Sequence, residues 1–248
     1  MKTLCAIIFI VTALSGYGFA EERTYVVGVE NINHYPHYAL RDNEWVGFGR
    51  EVLDAFAKKY GYMFKYEPYP VKRLMKTNWE QRIDLMFPDN PLWLADQKKG
   101  VNIYYSDTFV EVIEGTMVLP KNKGAGVENI KKLGTIMGFT AASYSGYIDK
   151  GKVEIKEGYD SLNLLRMARL GRIDGAYMAV DCAYHILKEV IKQPDALVFD
   201  PGLPYDKYAY LVSTTKHPGL VDKFDKFIAE ENIMIRRLIK KYQVFVSE

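Results

Sequence analysis

The side chains best able to bind or react lie at the ends of apolar runs. Asp84 to Phe87 reads as a buried strand stopped by Pro88, and Asp89 and Asn90 follow at once. A carboxylate and an amide at a strand end can take a ligand ammonium or hydroxyls; an Asp-Asn pair between prolines also suits a plain turn. Thr140 follows Gly138-Phe139 at an expected helix start. Its hydroxyl and the free backbone N–H groups there can hold an anionic or carbonyl oxygen, or serve only as a cap. Arg73, where the segment Pro70 to Leu74 enters a helix, can grip an anion or stand solvated on the surface. Aromatic residues are numerous, with 19 Tyr, 12 Phe and 3 Trp. Tyr35, Tyr38, Trp45, Trp93, Tyr144, Tyr177, Tyr205 and Tyr208 fall on loops or near strand ends. Such rings can sandwich a flat or sugar-like molecule or cage a cation, and packing in the core is the competing use of each. As a set on loops they favour recognition, with Tyr35 foremost.

Signals for catalysis are weak. His34 and His37 form a His-x-x-His with Pro36 between them, but the chain has four His and no Cys pairing to extend them, so no metal site is expected. Gly47-Phe48-Gly49 lacks a third glycine, so it is no dinucleotide fingerprint. No Gly-Lys-Ser/Thr phosphate loop occurs, and neither Ser143 nor Ser145 sits in a Gly-x-Ser-x-Gly elbow. No cofactor is expected.

The elements that must position these groups alternate. Strands are expected at Tyr25 to Val29, Phe64 to Pro68, Asp84 to Phe87, Thr135 to Gly138, Gly175 to Val180, Leu197 to Phe199 and Tyr208 to Ser213. Helices fall at Gly49 to Tyr60, Lys72 to Gln81, from a Ser161 cap, around Cys182, and at Leu220 to Ala229 and Ile233 to Tyr242. Such alternation argues α/β architecture with parallel sheets covered by helices. No hinge loop separates two such units. The chain is therefore expected to cross between them on extended segments, Gly115 to Leu119 and Tyr208 to Val212.

Composition sets the outer limits. The 248 residues are 48% hydrophobic and 26% charged, which suits a folded chain of one large or two small domains. With 33 Lys plus Arg against 31 Asp plus Glu, no basic surplus exists to engage a phosphate backbone, and nucleic acid is not expected as a partner. Met1-Lys2, the apolar run Leu4 to Leu14 and Gly18-Phe19-Ala20 read as a secretory signal peptide, 1–20, cleaved after Ala20. The run falls short of the ~20 residues that span a membrane. The remaining cysteine, Cys182, reads as a small buried residue.

The order of segments resembles the periplasmic solute-binding proteins of ABC transporters, in the group typified by polar amino-acid binders. The residues that carry the resemblance are YVVGV with YPHY, WVGFGREVLDAFAKKYGY, RIDLMFPDNP, VNIYYSDTFVE, LGTIMGFTAASY and LLRMARLGRIDGAYMA. The resemblance implies two lobes, each a mostly parallel sheet flanked by helices, joined by two hinge strands, with ligand in the cleft between them. Lobe 1 would comprise 21–114 plus 213–248 and lobe 2 115–212. Tyr35 and Tyr38 would occupy the stacking loop, Trp45 and Trp93 would flank the first-lobe cleft, and Asp89 and Asn90 would project at its mouth. The family grips an α-carboxylate with an Arg shortly after the first-lobe loop; here Asp96 stands near that place, with Lys98 and Lys99 beyond. It grips the α-ammonium with an Asp after the second-lobe strand; here Ala179 falls there and Asp181 lies two residues on. Both ends of the clamp are altered, so a standard α-amino acid is not the expected ligand. The reading is a monomeric periplasmic binder of a small polar solute, not an enzyme, partnered by an ABC permease or a membrane sensor. The alternative within the same fold is a periplasmic dehydratase using Asp89 or Glu114 as acid or base.

Overall fold

The computed structural model describes residues 23–244. The expected signal peptide lies outside the described residues.

The chain opens with β1 (Arg23–Glu30), whose apolar stretch is buried up to a terminal carboxylate. A short hairpin, β2 (Ala39–Arg41) with β3 (Glu44–Val46), leads into α1 (Phe48–Tyr60). That helix buries Phe48, Val52, Leu53, Phe56 and Ala57, the spacing of one face. It stops at Gly61, whose φ of 67° and N–H bonds back to Ala57 and Lys58 make a left-handed cap. Next come β4 (Tyr62–Tyr69), α2 (Val71–Trp79), β5 (Leu85–Asp89), α3 (Ala95–Lys98), β6 (Tyr104–Tyr105) and the long β7 (Val110–Val118). Alternation then resumes with β8 (Lys132–Ile136), α4 (Ser145–Ile148), β9 (Glu154–Gly158), α5 (Ser161–Arg169), β10 (Gly175–Ala179) and α6 (Val180–His185). β11 (Val198–Phe199), β12 (Asp206–Thr214), α7 (Pro218–Glu230) and α8 (Asn232–Tyr242) complete the described chain.

The main sheet runs β4-β1-β5-β12-β7-β10-β8-β9. Its two outer trios are parallel, β1 pairing with β4 and β5, and β8 with β9 and β10. Between them β12 and β7 pair antiparallel, from Asp206 opposite Glu114 to Tyr210 opposite Val110. These are the two strands that cross from one half to the other, and they contain the expected segment Tyr208 to Val212 and all but Leu119 of Gly115 to Leu119. The fold class is therefore as expected: two α/β halves joined by two extended crossings. The two trios need helices on their faces to bury near-continuous apolar runs. β5 and β10 are buried along their whole length.

Some local expectations are corrected. Pro88 does not stop β5, which runs on to Asp89, because the ladder with β12 shifts register between Leu211 and Ser213 and an irregular pairing tolerates a missing N–H. The cap of α5 is Asp160, whose carboxylate accepts from Asn163 N at 2.7 Å; Ser161 is the first helical residue, buried, with its hydroxyl 3.7 Å from the Cys182 sulfur. β9 was not expected, since Glu154-Ile-Lys-Glu-Gly is largely polar and pairs only with β8 at the sheet edge. Thr140 begins no helix; a turn of 3-10 helix starts only at Ala142. Cys182 is buried as expected, and burial pushes its thiol up. No helix among the described residues is long and apolar enough to cross a membrane.

Candidate functional site

The parallel strands of both halves end at a common place. β1 ends at Glu30, β5 leads to Trp93 and Leu94, and β8 leads to Gly138, Phe139 and Thr140. These residues, with Val71 and Met75 of α2 and Glu114 of the crossing strand β7, line a small cavity of about 30 Å³. Loops at the carboxyl ends of strands are where open α/β sheets bind ligands. Both halves contribute walls, and they also touch around the cavity. His37 Nε2 lies 2.8 Å from Asp181 Oδ2, the Tyr35 and His185 rings are 4.5 Å apart, and Phe139 packs 5.9 Å from His34.

Two buried carboxylates face this cavity. Glu30 is 1% exposed and accepts a 2.5 Å bond from the Tyr38 phenol. Burial pushes its pKa up to about 7, against the lowering effect of that bond. Glu114 is 3% exposed, and its side chain has no hydrogen-bond partner among the described residues. Burial, followed by the charges of Glu30, Asp206 and Asp181, pushes its pKa up to about 8. The remaining walls are apolar or aromatic apart from the Thr140 hydroxyl, and no lining residue among those described is Arg, Lys or His. Nearby, His34 is buried with Nε2 3.1 Å from the Tyr210 hydroxyl; burial and then His37 push its pKa down to about 3, so it stays neutral.

Of the residues singled out from sequence, Trp93 and Thr140 line the cavity. Trp93 stands edge-on to Tyr208 and Tyr210, at 5.9 and 5.7 Å, which fixes its plane. Tyr38 lies behind the cavity, fully buried, as the donor to Glu30.

Others are corrected. Asp89 does not project at the mouth: it is fully buried, with Lys98 Nζ at 2.7 Å, Ser213 Oγ at 2.6 Å and Asn90 N at 2.7 Å. Asn90 gives its amide to Ala209 O at 2.8 Å and accepts from Leu92 N at 2.9 Å, the turn use of that pair. Trp45 is a core residue stacked between Tyr38 and Tyr66. Tyr144 and Tyr177 pack in a second core cluster, bonding Thr116 Oγ1 at 2.7 Å and the Asp206 carboxylate respectively. Tyr205 is exposed, edge-on to Phe199, and Arg73 is exposed on α2. Tyr35 sits outside the cavity under the Arg41 guanidinium, 4.2 Å from its ring centre, and against His185 and Tyr242. Asp181 faces His37 and a separate surface hollow lined by Tyr184 and His185. Lys98, one of the cations near the expected arginine position, is spent on Asp89, while Lys99 pairs with exposed Asp96 at 2.7 Å.

Glu30, Val71, Met75, Leu94 and Phe139 were not singled out from sequence, and Glu114 only as an acid or base. Glu30 carried a signal, as the lone carboxylate closing the apolar run Tyr-Val-Val-Gly-Val-Glu, whereas Glu114 shares its strand with the exposed Glu111 and is set apart from it by burial.

No protein-family model and no curated protein sequence matches the chain. Solved structures do. The substrate-binding protein of an amino acid ABC transporter superposes with a TM-score of 0.70 at 19% identity, covering 88% of this chain and 98% of that one. An ancestral arginine-binding protein bound to arginine gives 0.71 at 19%, covering 88% and 97%. An ancestral amino acid-binding protein, a precursor of cyclohexadienyl dehydratase, gives 0.68 at 16%, covering 88% and 95%. The fold is that of the type II periplasmic binding proteins.

Proposed function

We propose that the chain captures a small polar solute in the cavity between its halves and delivers it, in the periplasm, to an ABC permease. The observation that carries this reading is the convergence of strand ends from both halves on one cavity whose walls neither half completes alone. Residues 21–114 plus 213–248 would form one lobe and 115–212 the other, hinged on β7 and β12. Ligand touching both sides then shifts the lobes toward closure by its differential affinity for the closed form. The ligand is proposed not to be a standard α-amino acid, since no guanidinium or ammonium among the described residues lines the cavity to take an α-carboxylate. Small-angle scattering with a metabolite panel tests the reading: a binding solute shrinks the radius of gyration, and a profile unchanged across the panel overturns it. Calorimetry with the twenty standard amino acids is expected to show no micromolar binding.

One observation favours a second reading. Glu114 is a buried carboxylic acid facing a cavity, with a pKa near operating pH, as general acid–base chemistry requires. The likeness to a dehydratase precursor runs the same way. Product analysis after incubation with a bound solute separates the two: a binder returns it unchanged.

A further inference from the structure

Each carboxylate around the cleft has an internal partner except one. Asp89 has Lys98, Asp181 has His37, Glu30 has the Tyr38 phenol, and Asp206 accepts from the Tyr177 hydroxyl and from Ser143 N. Glu114 has none among the described residues, although it is all but completely buried and faces the cavity. An ionised carboxylate shut away from water without a partner is strongly disfavoured, so the closed site either keeps a proton there or receives a cation. Trp93 and Phe139 add ring surface to the same walls, and rings attract cations through their faces, Trp most of all.

We propose that the solute is an organic cation, an amine or guanidine without a carboxylate, held by Glu114 and Glu30 with Trp93 and Phe139 against it. This deepens the solute-binding reading and rests on it. The Thr140 hydroxyl and the first turn of α2 at Val71 are polar but supply no full positive charge. A carboxylate on the ligand would add a sixth acid to the five already near the cleft, with no basic lining residue to meet it.

The charge balance has a second consequence. Binding the cation requires the Glu114 carboxylic acid, and in part that of Glu30, to release its proton to solvent. Affinity therefore rises with pH across the neutral range, up to about tenfold per pH unit for one proton displaced. The groups facing this pair leave that sign intact. Asp89, Asp181 and Asp206 are acids, His34 is neutral, the phenols of Tyr38, Tyr177 and Tyr210 are held protonated, and Lys98 is fixed on Asp89. Among the described residues, the His37 imidazole faces Asp181, and exposed Lys72 passes its stem beside Gly138 at the cavity rim.

Calorimetry with matched probes tests the inference: cadaverine against lysine, agmatine against arginine, and glutarate as an anion, each in two buffers of different protonation enthalpy. The expected result is that at least one amine binds at least tenfold more tightly than its carboxylated counterpart, with net proton release. Glu114→Gln is expected to weaken that amine at least tenfold while melting cooperatively. Lysine or arginine binding as tightly as its decarboxylated counterpart, glutarate binding, or no amine binding overturns the inference. In any of these cases closure by some other solute in scattering leaves the solute-binding reading standing. Absence of closure with every class removes both.

Discussion

Glu114→Gln in the unliganded protein tests the electrostatics without any ligand. In the closed arrangement the Glu114 pKa is about 8, against an ordinary value of 4.5 for a hydrated glutamate. If the halves part, water reaches this carboxylate and its pKa returns toward the ordinary range. Between the two values the closed form holds one proton that the open form has lost, so the sign follows. Closure is favoured at low pH and weakens as pH rises toward 8, by about 1.4 kcal/mol, or tenfold in the closed-to-open ratio, for each pH unit. From about pH 5.5 to about 7.5 that is roughly a hundredfold shift. Glu30, raised to about 7, adds in the same direction below its own pKa. The radius of gyration of the ligand-free protein should therefore grow across this range. In Glu114→Gln, an isosteric amide that does not ionise, the growth should be sharply reduced. The His37–Asp181 contact also joins the halves and is present in both proteins, so the difference between their profiles isolates Glu114. Superimposable profiles for parent and variant would refute the reasoning.

Two further outcomes concern the scaffold behind the cavity. Lys98→Met leaves Asp89 buried without its counter-charge and is expected to cost about 3–5 kcal/mol, read as a lower urea midpoint, with much of the loss returned in Lys98→Met/Asp89→Asn. Gly49→Ala would set a Cβ 2.4 Å from Cε1 of Phe87, an overpacking expected to cost about 1–3 kcal/mol in the same assay.

The architecture was largely legible because apolar periodicity is a local signal that packing reinforces. The face of α1, the buried β5 and β10, and the two crossing strands all follow from runs visible in sequence. The site was much less legible. Asp89 has the type and position of a ligand-binding group, but whether a carboxylate at a strand end faces a ligand or a lysine depends on Lys98, nine residues on, returning through α3. The aromatics divide the same way: Trp45 and Trp93 are alike in sequence, and only the hairpin β2–β3 folding onto the first half takes Trp45 into the core. Glu30 goes unremarked at sequence level, and Glu114 enters only as a candidate acid or base, because surface glutamates are common. Their meaning comes from burial, which a linear pattern shows only as one acid among apolar neighbours.

The place of Glu114 links recognition to motion. It lies on β7, one of the two strands that run between the halves, with Asp206 of β12 opposite on one side and Ala179 of β10 on the other. Asp206 is held by Tyr177 and Ser143, both beyond the crossing, whereas Glu30 belongs to the first half. The unpartnered carboxylate therefore stands on the element about which closure would pivot, between acids that belong to opposite sides. Bringing the halves together concentrates these charges and strips water from them, and the resulting penalty falls on Glu114 first. A proton or a bound cation removes that penalty at the same atoms, so the two compete for one position. On this view the energy a cationic solute spends displacing the proton is also what makes closure conditional on charge. A neutral solute of the same shape could fill the cavity of the protonated form but would gain nothing as pH rises.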